Sequence, residues 1–245
     1  MTTGVRVRTA PRRLPAVLVT PLLRWLAVNH AVPPGEPWCR SCTACGADLG
    51  VDLRPRARCA GCGGRIGPLP WSVEVLVVLA AGVGVLAVPL PVVAAYAWWA
   101  ALAIPLVLVD LAVHRLPDRL TLPAAAGVTV LLGVAAAFDG AADRWWRSLA
   151  AGAAVGLFFA TTTVLLGRRG FGLGDAKLAL SCAALLGWFG WGAVLLGLMA
   201  GLLLSALVSI ALLVAGKVRW TSHLPFGPFL VAGTVIGLIV VGPLS

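Results

Sequence analysis

An all-α, polytopic membrane bundle of about seven to eight transmembrane helices, with a small cytoplasmic zinc-ribbon-like loop, is the fold this sequence predicts, and three observations predict it. The chain is 60% hydrophobic and only 11% charged over 245 residues, with a mean hydropathy of +0.98, whereas soluble domains carry about 25% charged residues. Apolar runs recur along the chain at a length that crosses a bilayer. Five of the six cysteines crowd into residues 39–62, in the stretch that precedes the first strong apolar run.

The runs, in order, occupy residues 73–90, 92–113, 120–138, 147–167, 176–188, 191–215 and 226–243. Most approach the ~20 residues that span about 30 Å of hydrocarbon; 176–188 is short, so its start is expected within residues 172–175. Pro91, Pro117, Pro123 and Pro225 stand at or near segment ends, where a missing N–H costs least. Residues 14–28 form a weaker segment with Pro15, Pro21 and Arg24, open to spanning, tilting or lying in the interface. A cleaved signal peptide is a poor reading of the first thirty residues, because no small-residue cleavage site follows the apolar run. The expected divisions are residues 1–37, a basic tail with the weak segment; 38–72, the cysteine-rich loop; and 73–245, the membrane domain.

The net charge of +10 fits arginine-rich cytoplasmic loops. No basic stripe with interleaved aromatics appears, so no nucleic-acid partner is expected; the bilayer is the surrounding medium. With the cysteine loop cytoplasmic, alternation places Arg40, Arg54, Arg56, Arg58, Arg65, Arg115, Arg119, Arg168, Arg169, Lys177, Lys217 and Arg219 inside. Only Arg144 and Arg147 fall outside, which obeys the positive-inside rule at each loop. The tail arginines 6, 8, 12 and 13 would lie outside if 14–28 spans.

Among the nine acids, Glu36, Asp48, Asp52, Asp118, Asp139 and Asp143 are expected in loops. Glu74, Asp110 and Asp175 are not: each sits at the end of an apolar run, and the topology puts all three at the cytoplasmic boundary. A carboxylate at membrane depth costs on the order of 2.5–3.5 kcal/mol, which makes it a functional candidate. Two carboxyls close together share one proton, so that one activates water while the other polarises a carbonyl. Three readings of the spacing stay open: this dyad, boundary residues snorkelling or paired with Arg115 and Lys177, and an ion- or proton-coupled transporter. A transporter also predicts internal repeats and unwound mid-membrane helices, and neither is evident. Asp175 follows Gly170, Gly172 and Gly174 in GFGLGDAKLAL, where absent side chains let another backbone approach.

Three ordered stretches carry a resemblance: DLAVHRLPDRLTLP with Asp110, Pro117 and Asp118; GLGDAKLALSCAALLG with Gly172, Gly174, Asp175 and Lys177; and LPFGPFL at residues 224–230. They resemble the type IV prepilin leader peptidases, the GxGD intramembrane aspartyl proteases, over residues 38–240. The resemblance implies Asp110 and Asp175 as the catalytic pair, with no metal for proteolysis. It implies supporting roles for Pro117, Asp118, Gly172, Gly174 and Lys177, and a structural or substrate-positioning role for the PFGP turn. It further implies a multi-pass protein of a bacterial-type inner membrane, its active site facing the cytoplasm, that removes a short basic leader from prepilin or pseudopilin substrates. A non-catalytic assembly protein on the same fold is the other reading. His114, beside Arg115, reads as a solvated loop residue.

Cys42xxCys45 and Cys59xxCys62 have the spacing of a zinc knuckle, with Gly46 and Gly63 supplying the turns; structural zinc is expected. Cys39 offers a competing frame with Cys42, and Cys182 reads as packing. In bifunctional members of the family this loop belongs to an N-methyltransferase that uses S-adenosylmethionine, and RCAGCGGRIGPLPWSVE, including Glu74, matches it. The stretch before it departs from the family, and no cofactor-binding glycine motif is present.

Overall fold

The computed structural model describes residues 15–33, 36–50, 55–59, 61–166, 172–217 and 224–242. Eight helices appear among them: α1 (Pro15–His30), α2 (Ser72–Ala87), α3 (Val93–Val113), α4 (Asp118–Asp139), α5 (Ala142–Leu166), α6 (Leu173–Gly187), α7 (Trp191–Val214) and α8 (Gly227–Val241). Each of the seven expected apolar runs becomes one of α2–α8. Four described helices, counting the short turn that leads into α3, are long and apolar enough to cross a bilayer; α2 and α8 are shorter apolar helices. The chain is a multi-pass, all-helical membrane protein.

Large apolar side chains on the outer faces, among them Val85, Phe138, Leu165 and Val214, are exposed, as a lipid-facing surface requires. Inside, α6 and α3 are the central posts. α6 packs on α4, α5, α7 and α8, and α3 on α1, α2, α4 and α8. Because lipid is as apolar as leucine, close backbone approach rather than hydrophobicity holds such helices together. A Cβ added at Gly152 of α5 would lie 3.0 Å from the Leu180 carbonyl oxygen of α6, and one at Gly237 of α8 would lie 3.4 Å from Gly197 Cα of α7.

Several expectations change. The described part of the weak segment folds into α1, packed on α2 and α3. Its arginine is accommodated because Arg24 is fully buried against Glu74. α5 begins five residues before the expected start, so Asp143 lies in its first turn, where an acid complements the exposed N–H groups. Asp118 opens α4 and Asp139 closes it, so none of these three acids is a loop residue. Arg147, expected to open its apolar run at the outer boundary, donates from Nε to the Gly187 carbonyl at 2.8 Å and from Nη2 to that of Trp188 at 2.7 Å; it caps the C-terminus of α6, where four carbonyls lack helical partners. Pro105 lies inside α3 and is buried, an interior proline that segment ends do not explain. Arg54, Arg168, Arg169, Arg219, Asp52, Gly170 and the tail arginines lie outside the described residues.

Candidate active site and metal centre

Asp110 lies in the last turn of α3 and is 4% exposed. The helix stops just beyond it: His114 takes a left-handed conformation, φ 53°, and its N–H donates to the Asp110 carbonyl at 2.8 Å. The Asp110 side chain meets the start of α8 instead of solvent. The Gly227 N–H donates to Asp110 Oδ2 at 3.0 Å, across 117 residues of sequence.

Asp175 is the third residue of α6, and its Oδ2 accepts the Gly172 N–H at 2.9 Å. An acid at this position reaching back to the N-cap N–H is half of a capping box. It satisfies one of the four N–H groups that a helix start leaves unpaired. Asp110 serves α8 in the same way from a distant part of the chain. Both carboxylates therefore lie at the end of the bundle where α6 and α8 begin.

Leu116, in the turn between α3 and α4, joins the two helix starts. A Cβ at Gly174 would come 2.8 Å from Leu116 Cβ, and one at Gly227 would come 3.5 Å from Leu116 Cδ2. Glycine at 174 therefore lets α6 press onto the turn after Asp110. Phe226, immediately before α8, stacks on Phe159 of α5 with ring centroids 5.7 Å apart, closing the same end of the bundle from the other side.

Pro117 precedes α4 as its N-cap, in extended conformation. Asp118 Oδ1 lies 2.6 Å from Lys177 Nζ, a partly exposed pair that ties the first turn of α4 to α6. Glu74 is in the first turn of α2, paired with Arg24 at 2.6 Å. Asp118 and Glu74 thus each have a cationic partner. His114 is exposed, as expected of a solvated loop residue.

The cysteine loop forms two similar knuckles. In the first, Cys42 N–H donates to the Ala47 carbonyl and Gly46 N–H to that of Cys42, both at 2.8 Å; in the second, Cys59 pairs with Gly64 at 2.8 Å and Gly63 with Cys59 at 3.0 Å. Gly46 and Gly63, at φ 71° and 70°, take the left-handed conformation that glycine adopts without strain. The sulfurs of Cys42, Cys45, Cys59 and Cys62 all lie within 4.8 Å of one another, with Cys42–Cys62 at 3.8 Å and Cys45–Cys59 at 3.6 Å. Tetrahedral zinc with Zn–S bonds of ~2.3 Å places sulfurs about 3.8 Å apart, so this donor set fits zinc. N–H groups of Cys62 and Gly61 pull the Cys59 thiol down to about 6. Cys45, although an N–H at Ala47 favours its thiolate, is pushed up to about 12 by the neighbouring sulfurs of Cys59 and Cys62. Four thiolates this close need a cation. Cys39 is not in the cluster; its thiol faces the Ser41 carbonyl at 3.6 Å, and it is Cys45 that stands with Cys42. Cys182 is buried in the helical core.

The loop is fixed to the bundle through α1. Trp25 Nε1 donates to the Leu49 carbonyl at 3.1 Å, Val28 packs with Cys42, Cys59 and Ile66, and the Arg119 guanidinium lies 5.0 Å from the Trp38 ring centroid. Sequence reasoning had no signal for the Gly227–Asp110 bond, for Leu116 or for the Arg24–Glu74 pair. The LPFGPFL motif marked the first of these places without showing what it touches.

The sequence profile of the type IV leader peptidase family matches residues 94–216, just over half of the chain. A prepilin leader peptidase/N-methyltransferase from Aeromonas hydrophila is 32% identical over 193 residues, covering 75% of this chain and 62% of the relative. One from Aeromonas salmonicida (strain A449) is 30% identical over 189 residues with the same coverage. One from Burkholderia pseudomallei (strain 1026b) is 36% identical over 132 residues, 51% of this chain and 39% of the relative. The chain spans about three fifths of the length of the Aeromonas relatives. No solved structure matches.

Proposed function

The chain belongs to the type IV leader peptidase family, and from that premise we propose that it is an aspartyl endopeptidase removing the short basic leader of type IV prepilin or pseudopilin precursors. The site faces the cytoplasm at the boundary of the inner membrane, as the distribution of arginine and lysine among the loops favours. Residues 73–245 form the peptidase and 38–72 the zinc-bearing loop.

The observation that carries this reading is that Asp110 and Asp175, on helices far apart in sequence, each have one oxygen held by the backbone N–H of a helix start, and both of those helix starts pack on Leu116. Sharing a proton, the ionised member takes a proton from water as the water oxygen attacks the scissile carbonyl carbon, and the protonated member gives its proton to the carbonyl oxygen. As the tetrahedral product collapses, one of its hydroxyls returns a proton to the pair, the C–N bond breaks, and the leaving amine takes up a proton from the pair. Placement at the membrane edge suits a substrate whose apolar helix stays in the bilayer while its leader stays in water. A basic leader reaching Asp118 competes with Lys177 for it. An ion-coupled transporter is disfavoured by family membership and by the location of both acids at one end.

Zinc held by Cys42, Cys45, Cys59 and Cys62 cross-links the two knuckles and plays a structural part. The relatives' names also carry N-methyltransferase. The sequence holds no glycine motif to receive S-adenosylmethionine, and Glu74 is engaged by Arg24, so methyl transfer is not assigned to residues of this chain.

The test is cleavage of a co-expressed prepilin, read as a mobility shift, by the wild type, Asp110→Asn and Asp175→Asn at equal membrane abundance. Loss of cleavage in both variants is expected; processing that persists in either removes that residue from catalysis.

A further inference from the structure

We propose that Gly227 is a positioning residue for Asp110: its backbone N–H holds Oδ2, so that the proton shared by the acid pair is confined to the Oδ1 atoms. This rests on the reading of Asp110 and Asp175 as the acid pair.

The two carboxylates are held in the same manner by different parts of the chain. Asp110 Oδ2 accepts from Gly227, the first residue of α8, at 3.0 Å, and Asp175 Oδ2 accepts from Gly172, the N-cap of α6, at 2.9 Å. Both N–H groups belong to helix starts, whose unpaired donors and partial positive charge favour an ionised oxygen at that point. A proton on either Oδ2 would face a donor. The Oδ1 atoms have no hydrogen-bond partner among the described residues, so they are the ones free to hold the shared proton, the attacking water or the substrate carbonyl.

The side chain at position 227 must be absent for this to work. A Cβ there would lie 2.7 Å from Asp110 Oδ2, below van der Waals contact, and would force the carboxylate to turn away. Gly227 thus belongs to the acid pair as well as to the start of α8. The effect passes through Asp110, so Gly227 is a positioning residue and not a catalytic one.

The experiment measures kcat and KM for a purified prepilin in proteoliposomes, for the wild type, Asp110→Asn, Gly227→Ala and Gly233→Ala, with thermal unfolding of each. Gly233 is the control: it packs α8 on α7 against Gly197 and Gly201, away from Asp110, and its variant is expected to lose thermal stability. Gly227→Ala is expected to lower kcat about 100-fold while KM stays within about threefold. A kcat within about threefold of the wild type, or a rise in KM alone, overturns the proposal. If Gly227→Ala does not accumulate in the membrane, a semisynthetic chain with an ester oxygen in place of the Gly227 N–H, unchanged in size, is measured by the same criteria. Cleavage by Asp110→Asn would sink the peptidase reading itself; an inactive Asp110→Asn beside a fully active Gly227→Ala would sink only the positioning role.

Discussion

Lys177 Nζ lies 2.6 Å from Asp118 Oδ1, so a side chain two residues beyond Asp175 is paired with the residue that opens α4. The two side chains remain 36% and 59% exposed, and an exposed ion pair contributes only about 0–1 kcal/mol because water and salt screen it. Lys177→Met and Asp118→Asn are each expected to shift unfolding by no more than about 1 kcal/mol. The double variant should cost less than the sum of the two, which a double-mutant cycle on detergent-purified protein will read.

The Arg24–Glu74 pair behaves differently. Arg24 is fully buried, and its Nε and Nη1 have no hydrogen-bond partner among the described residues. Removing one member of such a pair leaves a buried charge uncompensated, at a cost of about 3–5 kcal/mol, whereas replacing both with apolar residues is often neutral. Glu74→Leu alone is expected to lower membrane abundance and thermal stability sharply. Arg24→Met with Glu74→Leu is expected to recover most of the loss.

Metal content separates the cysteines. Wild type and Cys39→Ser are expected to carry one zinc per chain by elemental analysis, and Cys42→Ser or Cys62→Ser much less, because only four sulfurs converge. Chelation should also raise the sensitivity of the loop to protease, since the ion cross-links two knuckles whose shared apolar core is small. Absence of metal in the wild type together with unchanged protease resistance would refute the zinc assignment.

Orientation is tested at the turn between α4 and α5. A cysteine introduced by Ala141→Cys in a background lacking the native cysteines is expected to react with an impermeant thiol reagent added from outside. Labelling from the cytoplasmic side alone would reverse the topology.

What the sequence determined by itself was whatever depends on the solvent of each segment. The bilayer demands a run of apolar residues for each crossing, so residues 73–243 spelled out α2–α8 directly, and knuckle spacing marked Cys42, Cys45, Cys59 and Cys62 before their sulfurs were seen together. Asp110 and Asp175 stood out because a carboxylate at membrane depth is costly. Tertiary structure alone decided what those residues touch. Arg24 made residues 14–28 a poor segment until Glu74, 50 residues away, met its charge. Arg147 reads as a boundary cation at the start of its run until the end of α6 comes within its reach. The hold of Gly227 on Asp110 depends on an N–H and on a missing Cβ, neither of which gives a pattern in sequence; only the packing of α8 against α3 brings them together.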